Sequence, residues 1–387
     1  MKIAFLSPEY PHVRIGNSGG IGTSIKNLAE SLTDLGHSVH ILVYGQSSED
    51  VFEESGITIQ LVRNVKIKGL SWFFTRKKLE KIVDDLYRNQ KIDIVEVPDW
   101  TGISSFINPV KCPIIIKLHG SDTYFCHLDN RPVKWFNRFH EKRALQKADG
   151  YISVSQFTAK KTNQLFGLRI PFTIIPNGIN STIFKTIESV DQVPNTILYF
   201  GSLIRKKGLL ELPLIFNKVI EQNPEAKLVL LGRDSPDIIS GGVSTWMMMQ
   251  SLFTLKAKEQ VTYFGGVPYE EVRGHIARAS VCVFPSFAEA LPVSWLEAMA
   301  MEKALVASNI GWGQEVIISG KEGFLVHPKD HQVYADAIVN LLENKALNTK
   351  FGKNASAKIK LNFTNDLIAK QNIAYYQSVI NNKNVSI

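Results

Sequence analysis

The chain reads as an α/β protein made of two successive doubly wound, parallel sheets. Three observations predict this. Short β-branched runs alternate with longer helical patterns through the first half, which is the βαβ rhythm of a parallel sheet. A polar stretch of little periodicity, Asn180 to Asn195, then interrupts it, with Pro194 near its end. Beyond that stretch the rhythm restarts, and 387 residues are enough for two full cores. The expected organisation is an N-terminal domain over 1–185 and a C-terminal domain over 186–387. They should face one cleft, and the final helices are candidates to pack back on the first domain.

The strands follow in order. In the first half the runs Ile3–Leu6, Val39–Tyr44, Ile57–Val62, Ile92–Val97, Pro113–Leu118, Tyr151–Val154 and Thr173–Ile175 carry strand composition, with helical periodicity between several of them. In the second half the runs are Thr196–Phe200, Lys227–Leu231, Val261–Phe264, Val281–Phe284, Ala304–Ala307 and Phe324–Val326. The tail from Phe363 to Ile380 reads as one or two helices. A Met-rich segment, Trp246 with Met247–Met249, reads as a core helix.

Composition excludes several classes. Hydrophobic residues make up 44% and charged residues 21%, as in an ordinary globular protein. Three cysteines, Cys112, Cys126 and Cys282, show no metal-ligand spacing and no disulfide framework, which fits a reducing cytosol. No run approaches the ~20 apolar residues of a membrane span, and the start, MKIAFLSPEY, lacks the pattern of a signal peptide. The net charge of +8 is concentrated between Arg63 and Lys91, where nine basic residues face three acidic ones. No nucleic-acid-binding module is visible there.

The chemistry concentrates at Phe284 to Ala300, FPSFAEALPVSWLEAMA. A buried strand ends at Phe284, a turn passes Pro285 and Ser286, and a helix starts near Pro292, where a missing N–H is tolerated. Glu289 then lies in the loop ahead of the helix and Glu297 inside it, roughly 8–12 Å apart at about 1.5 Å per residue. Such a pair is either two solvated surface acids or a clamp on one extended ligand. The apolar neighbours of Glu297 favour a partnered, buried carboxylate.

Two loops suit phosphate. Ser18-Gly19-Gly20-Ile21-Gly22 precedes a helical pattern and offers backbone N–H groups, although it is not a dinucleotide fingerprint and also reads as a plain turn. The loop Gly201 to Gly208 leaves the first strand of the second half with Arg205, Lys206 and Lys207 in a row, and a diphosphate would relieve their repulsion. His119 ends the apolar strand Ile114 to Leu118, at the sheet edge where sites occur.

In combination and in order, these features resemble the retaining glycosyltransferases of the GT-B fold, family four, also called glycosyl transferases group 1. The resemblance is carried by the Glu289 to Glu297 spacing with Pro285-Ser286 and Glu297-Ala298-Met299-Ala300. It is also carried by Gly19-Gly20-Ile21, Gly36-His37, His119-Gly120, Ser155, Pro176-Asn177-Gly178, Lys207-Gly208, Gly232, Gly265 and Gly323-Phe324-Leu325-Val326. It implies two Rossmann-like domains with a nucleotide-sugar donor in the interdomain cleft. Glu289 would bond donor-sugar hydroxyls, Glu297 the ribose, and Lys207 with Arg205 or Lys206 the diphosphate. The Gly19-Gly20 backbone would approach phosphate, Gly265 and Val267 would edge the base pocket, and His119 would lie near the reacting sugar.

The family's mechanism needs no protein nucleophile and generally no divalent metal. Stabilisation of the departing nucleoside diphosphate is the assisted step. No cofactor is implied beyond the nucleoside-diphosphate sugar itself. The chain also departs from the family pattern. Ser202 stands where a phosphate-binding Arg is usual, Ala290-Leu291-Pro292 stands where Gly-Phe-Gly is common, and Ser240 to Lys258 is longer than in the simplest members.

The acceptor would be a glycan or a lipid-linked glycan in envelope polysaccharide or glycolipid assembly. Trp72, Phe73 and Phe74 beside Arg76, Lys77 and Lys78 would suit an anionic membrane surface, placing the enzyme in the cytoplasm or on the inner face of the membrane. The other reading of that stretch is a loop packed on its own core with a solvated helix behind it. Two further functions stay open: a nucleotide-sugar epimerase on the same fold, and a non-catalytic nucleotide-sugar-binding protein.

Overall fold

The computed structural model describes residues 1–16, 18–109 and 111–385. The chain divides into two compact units. The first takes Met1–Gly178 together with the last helix from Asn365, and the second takes Ile179–Thr364. The division thus falls ahead of residue 185, and the C-terminal helix belongs to the first unit.

The first unit is built on β1 (Lys2–Ser7), β2 (Ser38–Gln46), β3 (Asp50–Glu54), β4 (Ile57–Arg63), β5 (Ile94–Pro98), β6 (Ile114–Leu118), β7 (Gly150–Ser153) and β8 (Thr173–Ile174). Their order is β3-β4-β2-β1-β5-β6-β7-β8, parallel throughout except for β3, which pairs antiparallel with β4 at the edge. Strand β3 is an addition to the sequence reading. Three residues of its run DVFEE are acidic and three are exposed, so it lacks the apolar signature of a buried strand.

Side chains alternate between the two faces of the sheet. Ile3 and Phe5 of β1 enter one core with Ile41 and Val43, while Ala4 and Leu6 enter the other with Leu42 and Val95. Helix α1 (Gly20–Asp34) covers the first face. Helices α2 (Ser71–Arg88), α3 (Asp122–Leu128), α4 (Trp135–Leu145) and α5 (Gln156–Phe166) follow β4, β6 and β7. Leu79 and Val83 of α2, Ala144 and Leu145 of α4 and Phe166 of α5 fill the second core.

The aromatic stretch of α2 is mostly packed, which corrects its reading as a membrane face. Trp72 is half-buried against Phe73, Phe106, Phe136 and His140, with ring centroids 4.9–5.7 Å apart. Arg76 is buried and donates to the carbonyls of Trp72 at 3.0 Å and Gly102 at 3.3 Å, so its charge does not reach solvent. Lys77 pairs with Glu80 at 2.9 Å, and Lys78 pairs with Glu49. Phe73 is half-buried, and of the six residues only Phe74 is exposed.

The second unit carries β9 (Thr196–Phe200), β10 (Lys227–Leu231), β11 (Val261–Tyr263), β12 (Val281–Phe284), β13 (Leu305–Ser308) and β14 (Gly323–Val326). They form one parallel sheet in the order β11-β10-β9-β12-β13-β14. The strand order reverses at β9, between β10 and β12, which makes the carboxyl edge of those strands the place for a ligand. The unit's helices are α6 (Leu212–Gln222), α7 (Thr245–Gln250), α8 (Leu255–Glu259), α9 (Tyr269–Arg278), α10 (Val293–Ala300), α11 (Gly313–Val316), α12 (His331–Glu343) and α13 (Lys345–Asn362). The Met-rich segment lies on α7 and is core only in part. Met249 is fully buried, whereas Met247 points to solvent.

Helix α14 (Asn365–Val385) then returns to the first unit, where Ile368, Ala369, Tyr376 and Val379 join the core on the α1 side. Its Tyr376 hydroxyl donates to Glu96 Oε2 at 2.5 Å, and Lys117 approaches the other oxygen of the same buried carboxylate at 4.0 Å. A buried charge needs such partners on every side.

Candidate active site

The site of the second unit grows from two glycine contacts. Gly208 has φ +74°, a conformation that L side chains rarely adopt, and a Cβ there would lie 1.9 Å from the Pro285 carbonyl oxygen. The basic loop after β9 therefore lies directly on the turn after β12. Gly232 makes a similar approach, since its Cβ would fall 2.0 Å from the Gly201 carbonyl oxygen. The Gly232 N–H in turn donates to Gly265 at 2.7 Å. The carboxyl ends of β9, β10 and β11 are thereby stitched together by backbone alone. Gly265 has φ +72°, Val267 two residues on is half-buried, and Ser202 is exposed.

These contacts bring predicted residues together. The N–H groups of Phe287 and Ala288 donate to the Lys206 carbonyl, at 2.8 and 3.3 Å. Lys207 Nζ lies 3.3 Å from Glu289 Oε1, and Ser286 Oγ donates to the same oxygen at 3.2 Å. Glu289 sits in the loop and Glu297 in α10, with Pro292 as the N-cap residue. Glu297 is buried among Trp295, Leu296, Ala298 and Met299. Burial pushes its carboxyl up to about 7, opposed by the Tyr269 hydroxyl, which donates to Oε1 at 2.5 Å, and by the charge of Lys207.

Arg205 is placed differently from the expectation. Its Nε and Nη2 form a fork on Asp237, at 2.9 and 2.6 Å. Asp237 is buried, and the Arg205 bonds hold its carboxyl well below the usual range. Ser240 adds a backbone N–H donation to the same carboxylate at 2.9 Å. The extra segment noted between β10 and β11 is thus stapled to the basic loop, and most of the guanidinium fork is occupied within the protein. Lys206 is half-buried beside it.

The first unit holds the other expected residues. Gly19 is the N-cap of α1, Gly20 opens the helix, and nothing lies within 4 Å of a Cβ built on Gly20. The Glu9 carboxylate sits at the same helix end and accepts from the Gly22 N–H at 2.9 Å. An anion approaching Gly19 would therefore meet a carboxylate as well as N–H groups. His119 follows β6, and its backbone N–H donates to Asp99 Oδ1 at 2.9 Å. Burial and the nearby charge of Lys117 push the His119 imidazole down to about 3, so the ring is neutral at neutral pH. Asp99 itself is pushed up to about 7 by burial.

Sequence reading missed Tyr269, Asp237 and Asp99. Tyr269 opens α9 two residues past Val267, just after the loop already marked by Gly265, so its place near the site had a signal. Asp237 and Asp99 had none, because their partners are 32 and 20 residues away in the chain.

Comparison with known proteins bears on the family and the fold. A family model described as glycosyltransferase family 4 matches residues 18–182, and one described as glycosyl transferases group 1 matches 181–358. A glycogen synthase of Mycobacterium tuberculosis is 23% identical over 97% of this chain and 94% of its own length. A phosphatidyl-myo-inositol mannosyltransferase of the same species is 24% identical over 93% of each. Among solved structures, sucrose-phosphate synthase from Thermosynechococcus elongatus superposes with a TM-score of 0.78 at 21% identity, covering 98% of this chain and 99% of that one. Anabaena HepE in complex with UDP and glucose gives a TM-score of 0.74 at 19% identity, covering 98% and 100%. With the two family models running end to end over residues 18–358, the chain belongs to the group 1, family 4 glycosyltransferases and has their GT-B fold.

Proposed function

We propose that this glycosyltransferase moves a hexose from a nucleoside-diphosphate sugar to a glycan or lipid-linked acceptor with retention of anomeric configuration. The observation that carries the reading is the ion pair of Lys207 with Glu289, set at the strand-order reversal with Glu297 close enough to feel the lysine's charge. A donor diphosphate would take Lys207 from Glu289, and the released carboxylate would bond sugar hydroxyls. Glu297, already engaged by Tyr269, would accept from the ribose.

The assisted step is departure of the nucleoside diphosphate. Lys207 and Lys206 lie side by side on the loop after β9 and would stabilise charge as it builds on the leaving phosphate, so we assign charge compensation to protein cations rather than to a metal. The acceptor hydroxyl attacks from the same face and gives its proton to the leaving phosphate oxygen. Neutral His119 would accept a hydrogen bond from the sugar without adding charge. The relatives include a glycogen synthase and a phosphatidyl-myo-inositol mannosyltransferase, and we place this chain with envelope polysaccharide or glycolipid assembly on the cytoplasmic side of a membrane. Among the described residues no helix is long and apolar enough to cross one.

The test is thermal stability against UDP-, GDP- and ADP-sugars, followed by NMR of the product's anomeric centre. A saturating donor at about 100 times its dissociation constant adds nearly 3 kcal/mol of stability. A shift with one base and an α-linked product from an α-linked donor are expected. Inversion, or donor converted to an isomer without acceptor, would overturn the reading.

A further inference from the structure

Helix α4 carries aromatic rings on both of its faces. Its inward face packs Phe136, His140, Glu141, Ala144 and Leu145 on the first unit, as a surface helix should. Its outward face, at spacing i, i+3, i+4 and i+7, carries Trp135, Arg138, Phe139 and Lys142. All four are exposed, and Trp135 is 76% open to water. Ring contacts continue the patch: Trp135 to Phe139 at 6.5 Å, Phe139 to Phe106 at 6.4 Å, Phe106 to Phe73 at 6.1 Å and Phe73 to Phe74 at 5.6 Å. Phe74 at 39% and Leu70 at 49% exposure close it on the α2 side.

Glu80 and Asp122 border this patch, but both are paired with cations, at Lys77 and Arg131. Lys66, Lys68, Lys134 and Lys142 are exposed, and none has a carboxylate partner among the described residues. The single acid on α4, Glu141, is turned inward, where it accepts from the Asp122 N–H at 2.8 Å. Helix α4 is held rigidly, since Asn137 Nδ2 donates to Asp122 at 2.9 Å and a Cβ on Gly102 would collide with the His140 backbone at 2.3 Å. Large rigid rings in a ring of free lysines match a target that is apolar inside and anionic outside. A second copy of the chain would bring the same lysines together, so charge speaks against a self-contact.

We infer that Phe74, Trp135 and Phe139, flanked by Lys134, Arg138 and Lys142, form a docking face for an anionic lipid bilayer. The segments that build it follow β4, β5 and β6, so it starts from the same sheet edge as His119. This deepens the proposed function and rests on it in one respect only: a bilayer on this face would present a lipid-linked acceptor at the edge of the first unit that carries His119. The surface differs from the one expected on α2 from the sequence, because Trp72 and Arg76 are buried or half-buried, Phe74 is the α2 ring that remains exposed, and α4 supplies the others.

The experiment is cosedimentation of the full chain with vesicles of mixed phosphatidylglycerol and phosphatidylcholine, and with phosphatidylcholine alone, without donor. The chain should pellet with the mixed vesicles only, and added salt should release it. The double variants Trp135→Ala/Phe139→Ala and Lys134→Glu/Lys142→Glu should each lower the partition coefficient at least about tenfold. Both should keep the wild-type melting temperature and the donor-induced thermal shift, because these side chains are exposed and outside the donor site. Wild-type sedimentation of either variant, or equal binding to both vesicle types, would overturn the docking face. So would a wild-type dimer that the variants dissociate, in a protein that ignores vesicles. Vesicle binding without any donor shift would instead sink the transfer reading and leave the face standing.

Discussion

Both units end their parallel sheets in a cluster of carboxylates, and they hold those carboxylates in opposite ways. In the second unit Glu289 faces the ammonium of Lys207 and the hydroxyl of Ser286, groups on side chains that can turn to a ligand. In the first unit Glu141 accepts from the backbone N–H groups of Asp122 and Thr123 and from the Thr123 hydroxyl, and Asp99 accepts from the His119 N–H. Backbone donors cannot leave without unwinding α3 or moving β6. A partner on a side chain, such as the Lys207 ammonium, can be given up to a ligand, whereas a backbone donor is scaffold. Both kinds belong at a sheet edge, and only the source of the partner tells them apart.

The sharpest contrast is kinetic. Glu289→Ala and Lys207→Ala should each lower the rate of sugar transfer by about 10²–10³-fold while leaving urea unfolding almost unchanged, as expected when a preorganised electrostatic contact is removed. A large loss of stability in Glu289→Ala would put it with the scaffold carboxylates and break the comparison. The converse variant is Glu141→Ala, which strips the N-terminal donors of α3 in a buried site. It should cost about 3 kcal/mol in the unfolding of the first unit. Little change in stability, measured by denaturant titration, would show that Glu141 is not scaffold.

The smallest effect concerns pH. Glu297 has a folded-state pKa near 7 against an ordinary value of 4.5, chiefly through burial. The folded chain therefore keeps this proton after the unfolded chain has released it. Its contribution to stability is greatest below about 4.5, falls as pH rises toward about 7 and is level beyond, a loss of about 1–3 kcal/mol. Glu297→Gln should flatten that part of the pH profile in the second unit, read from the fluorescence of buried Trp295 and Trp312. A slope identical to the wild type would mean that Glu297 is already ionised in the folded site.

Much of this was legible in the sequence because it is local. The strands announce themselves as short β-branched runs, and Pro292 marks the helix start between Glu289 and Glu297 to within a residue. The family resemblance gave Lys207 and Glu289, 82 positions apart in the chain, to one donor, but their ion pair was visible only in the structure. What escaped depends on tertiary neighbours. Arg205 reads as a free cation until Asp237 folds back onto it. The α2 aromatics read as a surface until Phe136 and His140 of α4 cover them. Helix α4 itself gave no warning, because WFNRFHEKRAL has rings and cations on both faces and little amphipathic contrast. Strand β3 is acidic and exposed, so it offers none of the burial on which strand reading depends.

The first and last secondary-structure elements, β1 and α14, lie in the same unit, so the second unit is an insertion within the first in chain order. During synthesis the second unit has its whole sequence available by Thr364, whereas the first still lacks Tyr376, the partner of its buried Glu96. On the ribosome, the first unit is therefore begun before the second and completed after it, and its α1-side core stays open to chaperones until α14 emerges.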